Sequence, residues 1–191
     1  MSAPLPVRRP VLGLMPHSAP PYVIDLESTV DEAAVALASL PESVVTWRPT
    51  PTAWSAKEII GHLIDSATNN HQRFVRAGSQ PHLVFLGYAQ DEWVRVQAYD
   101  RAPWHELLSL WRSYNRHLAR VMAAVPREVR SRPHAHHNLH EIGWKSFSAD
   151  APATLDDLMA DYVAHLQHHL AQIHGRVRAA SAAAIPVRPG S

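Results

Sequence analysis

A long apolar stripe near the C-terminal end constrains the fold of this 191-residue chain more than any other feature. Between Thr154 and Val177, apolar side chains recur every three or four residues, which is the spacing of one helical face. The stripe consists of Leu155, Leu158, Met159, Tyr162, Val163, Leu166, Leu170, Ile173 and Val177. A helix with one apolar face has to bury that face against other elements, so the rest of the chain must supply packing partners.

Three further segments have helical periodicity, and no segment shows a convincing strand alternation bounded by hairpin turns. The first runs over about 24–40. The second starts at Ser55, with Glu58 three residues later in the capping-box position, and ends near Gly78. The third runs over about 103–125. The sequence therefore predicts an all-α protein, and a four-helix bundle would bury all four stripes.

Two long linkers separate the predicted second helix from the third and the third from the fourth, each of about 24 residues. Linkers of this length argue against a plain up-down-up-down bundle with tight turns, and long loops are often functional. Prolines crowd the N-terminal end, so we expect an N-terminal arm over 1–22, one bundle domain over 23–180 and a C-terminal tail over 181–191.

Composition narrows the classes of function. The formal net charge is +1 and the arginines are scattered, so we expect no nucleic-acid partner. No apolar run approaches the roughly 18 residues of a membrane span, and the proline-rich start does not resemble a signal peptide; we expect a cytoplasmic protein with no membrane partner. There is no cysteine, so any metal site must use His, Asp or Glu.

The chemistry-bearing feature is the pair His165 and His169, because i,i+4 spacing places two imidazoles on one helical face. On a helical wheel His169 lies roughly 60° and His165 roughly 100° from the centre of the stripe, whereas His168 lies roughly 160° away and should face solvent. Two imidazoles on the flank of a buried face could bind a metal ion. The alternative is a pair of ordinary rim residues, since the chain has 14 histidines.

A metal site needs a third ligand, and His62 in the well-capped second helix is the candidate. Its wheel position, roughly 130° from the centre of that helix's stripe, predicts a surface or cleft residue, and a solvated histidine is the alternative. Glu58 and Asp65 are each about one turn away and could orient an imidazole or act as a base, although solvated carboxylates are the simpler interpretation. Gln172 and His174 are further candidates for orienting groups.

Other clusters allow several interpretations. The loop histidines are His134, His136, His137 and His140, and they could form a second metal site, a lid or a solvated loop. Trp104, Trp111 and Trp144 are expected in the core or in a dimer interface.

Two ordered motifs resemble one known family. Segment 54–65 reads Trp-Ser-Ala-Lys-Glu-Ile-Ile-Gly-His-Leu-Ile-Asp, and segment 162–173 reads Tyr-Val-Ala-His-Leu-Gln-His-His-Leu-Ala-Gln-Ile. Together with Phe85-Leu-Gly-Tyr-Ala-Gln-Asp-Glu-Trp93 they resemble the DinB-like (DinB/YfiT) superfamily of metal-dependent enzymes. The resemblance covers roughly 46–173.

The resemblance implies a bundle with up-down-down-up connectivity and a divalent metal held by His62, His165 and His169. Related bundles are frequently homodimers. Three neutral imidazoles suit Zn or Ni, with Fe or Mn also compatible, and leave a position open for water or a low-molecular-weight thiol. The expected function is a metal-dependent hydrolase or thiol-dependent S-transferase acting on a small molecule. The alternative is a non-catalytic helical binding or scaffold protein with a vestigial site, because the fold does not choose the reaction.

Overall fold

Four long helices carry the stripes that the sequence predicts. The computed structural model describes residues 19–183. The long helices are α1 (Pro21–Leu37), α3 (Ala56–Ala77), α5 (Trp104–Ala124) and α8 (Leu155–Ala183). Between them lie the short helices α2 (Glu42–Val45), α4 (Gln90–Gln97), α6 (Arg127–Arg130) and α7 (Leu139–Ile142), and a 3₁₀ turn (Tyr99–Arg101). The predicted all-α class is confirmed.

The helix boundaries follow local chemistry and differ from the predicted ones by a few residues. The capping box at the start of α3 is present: the Ser55 backbone N–H donates to Glu58 Oε2 at 2.8 Å, and the Ser55 hydroxyl accepts from the Glu58 N–H. Helix α1 begins at Pro21, inside the predicted arm, because proline fits the first turn of a helix. Helix α8 continues six residues past Val177 to Ala183, through an alanine-rich stretch of high helix propensity.

Contacts between side chains define the helix directions. The end of α1 meets the start of α5, where the Trp104 indole N–H donates to the Leu37 carbonyl at 2.9 Å, so these helices are antiparallel. The starts of α1 and α8 meet, with the Tyr22 hydroxyl donating to Asp156 at 2.6 Å, so these two are parallel.

Helix α3 is antiparallel to α8. Phe74 in the last turns of α3 packs on Tyr162 near the start of α8, whereas His62 in the first turns of α3 meets His165 in the middle of α8. Helices α1 and α3 each pack against α5 and α8. The connectivity is therefore up-down-down-up, as expected. Helices α3 and α5 are parallel, so the linker over 78–103 has to return along the bundle, whereas the linker over 125–154 joins helices of opposite direction.

Helix α3 is buried on almost every side. Every residue from 55 to 67 is buried, including Lys57 and His62. Helices α5 and α8 cover one side of α3, and α4 with the 3₁₀ turn covers much of the other. The Tyr99 ring lies directly over Gly61, where a side chain would leave it no room. Of the wheel-based alternatives for His62, the surface position and the solvated histidine were wrong, because Trp54 and the two histidines of α8 pack against its ring.

The two long linkers pair with each other. Leu83 bridges His137, and His134 bridges Ala153 through backbone hydrogen bonds of 2.8 and 3.1 Å. The imidazole of His134 bonds the Pro81 carbonyl at 3.1 Å, and that of His137 bonds the Ala151 carbonyl at 2.9 Å. The His134 ring thus joins the two linkers, whereas the His137 ring closes the second linker on itself. Both rings are buried, so the expectation of a solvated loop was wrong for these two histidines.

None of the helices within residues 19–183 is both long and apolar enough to cross a membrane. The expected arm over 1–22 and tail over 181–191 fall mostly outside the described residues, and that division of the chain stays a prediction.

Candidate metal centre

Three histidines from two antiparallel helices converge on one point. His62 projects from α3, and His165 and His169 project from α8. One ring nitrogen from each lies within 4.8 Å of the other two. The ring centroids are separated by 4.5 Å for His165 and His169, 4.7 Å for His62 and His169, and 5.2 Å for His62 and His165. Among residues 19–183 this is the one such group of His, Asp and Glu, and it consists of the three residues that the sequence analysis selected.

The spacing of the nitrogens suits a tetrahedral ion. His62 Nε2 lies 3.3 Å from His165 Nε2. Two ligands at about 2.0–2.1 Å from a tetrahedral Zn²⁺ lie about 3.3 Å apart, so this pair needs no rearrangement to share an ion.

Hydrogen bonds at the far side of two rings favour the tautomers that a metal requires. The Nδ1–H of His169 donates to Gln172 Oε1 at 3.0 Å, and His165 Nδ1 lies 3.4 Å from the Ser66 hydroxyl. With the proton on Nδ1, each ring keeps the Nε2 lone pair for a ligand. The expectation for Gln172 is thus supported by its contact, whereas His174 lines a separate groove beside α1.

Burial keeps the three imidazoles neutral. Burial, together with the neighbouring histidines, lowers the pKa of His62 and of His165 to about 3. Burial also lowers the pKa of His169, although the bond to Gln172 opposes this shift. Each neutral imidazole keeps one N–H and one nitrogen lone pair, so a cation would be stabilised where the lone pairs of the three rings meet.

The two carboxylates that flank His62 in sequence do not contact it. The Glu58 carboxylate is used by Ser55 in the capping box and by Arg48, whose guanidinium lies 2.8 Å away. Asp65 accepts hydrogen bonds of 2.7 Å from both Gln97 and Tyr99. His62 Nδ1 is buried and has no hydrogen-bond partner among the described residues. Neither acid orients the His62 ring, and the simpler interpretation of both as solvated carboxylates was wrong as well, because Glu58 and Asp65 are buried.

One side of the cluster is closed and the other is open. The Trp54 ring packs 5.0 Å from His62 and closes one side. On the other side, His165 and His169 line a cavity of about 300 Å³. The Asp161 carboxylate, in the same cavity wall, accepts from the backbone N–H groups of Trp144 and Lys145 at 2.9 and 2.8 Å.

Those two bonds place Trp144 at the cavity mouth, where its ring lies 5.2 Å from that of His168. Trp144 is 46% exposed, which excludes a core position, and its expected place in a dimer interface stays a prediction. Trp104 and Trp111 are buried in the core as expected. His168 is exposed, as the wheel predicts.

Most residues of the cavity wall were not predicted from the sequence. Ser66, Asn70 and Arg73 line the cavity from α3, and Tyr88 does so from the first long linker. The three α3 residues follow His62 at intervals of four, four and three, so they form a polar stripe on one helical face. That stripe was the available signal, whereas nothing in the local sequence marks Tyr88.

These features define a class of protein: an all-α four-helix bundle with a three-histidine cluster at the wall of a small cavity. A family model of the DinB superfamily matches residues 25–173. The chain therefore belongs to the DinB superfamily, as its motifs indicate.

No curated protein matches the chain. Among solved structures, YfiT from Bacillus subtilis aligns with a TM-score of 0.69 and 17% sequence identity, over 90% of this chain and 96% of that chain. That structure is described as a probable metal-dependent hydrolase with an unusual four-helix bundle topology. At this identity the likeness concerns the fold, and it agrees with the connectivity derived above.

Proposed function

We propose that this chain is a metal-dependent hydrolase of small molecules in which His62, His165 and His169 hold one divalent ion. The observation that carries the proposal is the convergence of three neutral imidazoles, one buried and two half-buried, whose ring nitrogens lie within 4.8 Å of one another, with one pair at the 3.3 Å spacing of a tetrahedral site. Membership of the DinB superfamily and the description of the YfiT structure support the same class of reaction.

The donor set matches the chemistry. Imidazole nitrogens suit Zn²⁺ and Ni²⁺, which we propose as the preferred ions, and Fe²⁺ or Mn²⁺ are compatible with the same ligands. A divalent ion with three neutral ligands keeps its full positive charge and an open position, from which it lowers the pKa of a bound water towards neutrality.

Individual side chains of the protein then have distinct roles around the metal site. Gln172 and Ser66 hold the tautomers of His169 and His165. Trp54 excludes water from one side of the cluster, so a substrate has to approach through the cavity on the other side. Asp161 secures the loop that carries Trp144 to the cavity mouth.

A low-molecular-weight thiol would occupy the same open position as water, which keeps the thiol-dependent transferase as the alternative reaction. The non-catalytic scaffold is the alternative from another class. A homodimeric assembly, a cytoplasmic location and the absence of a nucleic-acid partner stay predictions from the sequence and the family resemblance.

Metal analysis tests the proposal directly. We expect protein purified without a nickel column, and then incubated with Zn²⁺ and desalted, to retain about one ion per chain. The double variant His165→Ala/His169→Ala should retain far less than one. His174→Ala is the matched control, because it removes a histidine from the same helix but from a different groove, and it should bind like the wild type.

Equal metal content in the wild type and the double variant would refute the three-histidine site. The reaction class is then decided on Zn²⁺-loaded protein by comparing ester and amide hydrolysis with and without added thiol. If turnover requires the thiol, the protein is a thiol-dependent transferase and not a hydrolase. If the protein binds metal but shows no turnover, the result favours the non-catalytic scaffold.

A further inference from the structure

We propose that the substrate carries an anionic group, such as a carboxylate, which binds Arg73 at the opposite end of the cavity from the three histidines. This inference rests on the proposed function, because the other end of the substrate has to react at the metal that the three histidines hold. Arg73 on α3 is then a second point at which the protein recognises the substrate.

Arg73 is a buried cation without an ion-pair partner. The residue is 6% exposed, and no carboxylate within the described part of the chain lies within salt-bridge distance of its guanidinium. Burying an arginine away from any counter-charge is costly, so such a residue is retained where something else supplies the negative charge.

The guanidinium has unused hydrogen-bonding capacity. Its Nη1 donates to Asn70 Oδ1 at 3.3 Å and its Nη2 donates to the Leu86 carbonyl at 3.0 Å. Its Nε is buried and has no partner among residues 19–183. Since a guanidinium has five N–H groups arranged as a planar fork, the remaining donors suit the two oxygens of a carboxylate.

The position of Arg73 suits a substrate that spans the cavity. His62, Ser66, Asn70 and Arg73 lie within about 80° of one another around α3, and the Cα atoms of His62 and Arg73 are about 16 Å apart along the axis. Side chains on a helix lean towards its N-terminus, which brings the long arginine side chain back over Asn70 towards the histidines.

The cavity sets the size of the group that fits. A volume of about 300 Å³ corresponds to about ten water-sized units of ~30 Å³ each. The wall contains one other charged side chain, Asp161, which is occupied by the backbone N–H groups of Trp144 and Lys145 and acts on Arg73 only at longer range. Once a divalent ion is bound, the cavity has an excess of positive charge, which favours a small anionic molecule.

The test uses Co²⁺-loaded protein and a series of ω-mercaptocarboxylates of two to six methylene groups, each compared with its uncharged amide. Thiolate binding to Co²⁺ produces a charge-transfer absorption, so binding at the metal is measured without turnover. For the chain length that spans the cavity, we expect the wild type to bind the acid about 10- to 100-fold more tightly than the amide, the range for a charge-assisted hydrogen bond.

Arg73→Gln should reduce that preference to about one, while Arg73→Lys, which keeps the charge, should retain part of it. Arg76→Gln is the matched control, since Arg76 is exposed on the same helix, and its preference should equal that of the wild type. Equal binding of acid and amide by the wild type, or an unchanged preference in Arg73→Gln, would overturn the proposal.

A metal-free arm separates this inference from the proposed function. Glutarate is titrated by calorimetry into chelator-treated wild type and into Arg73→Lys and Arg73→Gln, after melting curves have shown which variants are folded. Saturable binding by the wild type that is weakened in the folded variants supports the anion site, and no binding by the wild type contradicts it. Failure of Co²⁺ to bind would refute the metal centre alone.

Discussion

Replacing Gly61 by alanine should destabilise the protein, although alanine is the better helix former. An ideal Cβ at Gly61 would lie 2.1 Å from Tyr99 Cδ2 and 2.2 Å from Tyr99 Cγ. Carbon atoms pack at 3.5–4.0 Å, so the ring would have to retreat by roughly 1.5 Å. The Tyr99 hydroxyl donates to the buried Asp65 carboxylate at 2.7 Å, and such a retreat breaks this bond.

The expected loss in the free energy of unfolding has three contributions. Overpacking costs about 1–3 kcal/mol, the lost hydrogen bond to a buried carboxylate costs about 1.5–3 kcal/mol, and helix propensity returns about 1 kcal/mol. The net loss is roughly 1.5–5 kcal/mol, which for a chain of this size lowers Tm by roughly 3–20 °C. The change in Tm is measured by thermal unfolding, with circular dichroism as the signal.

A matched glycine in α8 provides the control. Nothing lies within 4 Å of a Cβ at Gly175, so Gly175→Ala should raise Tm by about 2–4 °C through propensity alone. In a Tyr99→Ala background the clash is absent, and Gly61→Ala should no longer destabilise. A Tm for Gly61→Ala at or above that of the wild type would refute the packing of Tyr99 on α3.

Three further outcomes are expected. Gln172→Leu removes the acceptor for the His169 Nδ1–H and should weaken Zn²⁺ affinity about 10- to 100-fold in chelator competition, whereas Gln167→Leu, on the exposed face, should not. Tyr162→Phe leaves the buried Asn115 amide oxygen without its donor and should cost about 1–3 kcal/mol in denaturant unfolding; an unchanged midpoint would contradict the bond. Zn²⁺ at one hundred times its Kd should stabilise the wild type by about 2.7 kcal/mol, seen as a rise in Tm that a chelator reverses and that the double histidine variant lacks.

Much of the fold could be predicted because helices are encoded locally. The stripe from Leu155 onward and the capping box at Ser55 depend on residues a few positions apart, and the structure confirms both elements. The i,i+4 geometry of His165 and His169 and the outward direction of His168 follow from the same helical repeat.

The environment of the site could not be predicted in the same way. The burial of His62 depends on packing against Trp54 and against His165 and His169, two residues that are far away in sequence. The buried roles of His134 and His137 depend on pairing between two linkers that have no periodicity of their own. His62 became a candidate through its place in the well-capped second helix, and the family resemblance, rather than its wheel position, grouped it with His165 and His169.

The sequence by itself determined the helices, their apolar faces and which histidines could share a face, because each of these properties depends on the 3.6-residue repeat within one segment. Only the tertiary structure decided that His62 meets the α8 pair, that Trp54 closes one side of the cluster, and that Arg73 is buried without a counter-charge. The physical reason is that periodicity specifies which side of a helix avoids water, whereas the element that covers its polar side is set by long-range packing, which no local pattern encodes.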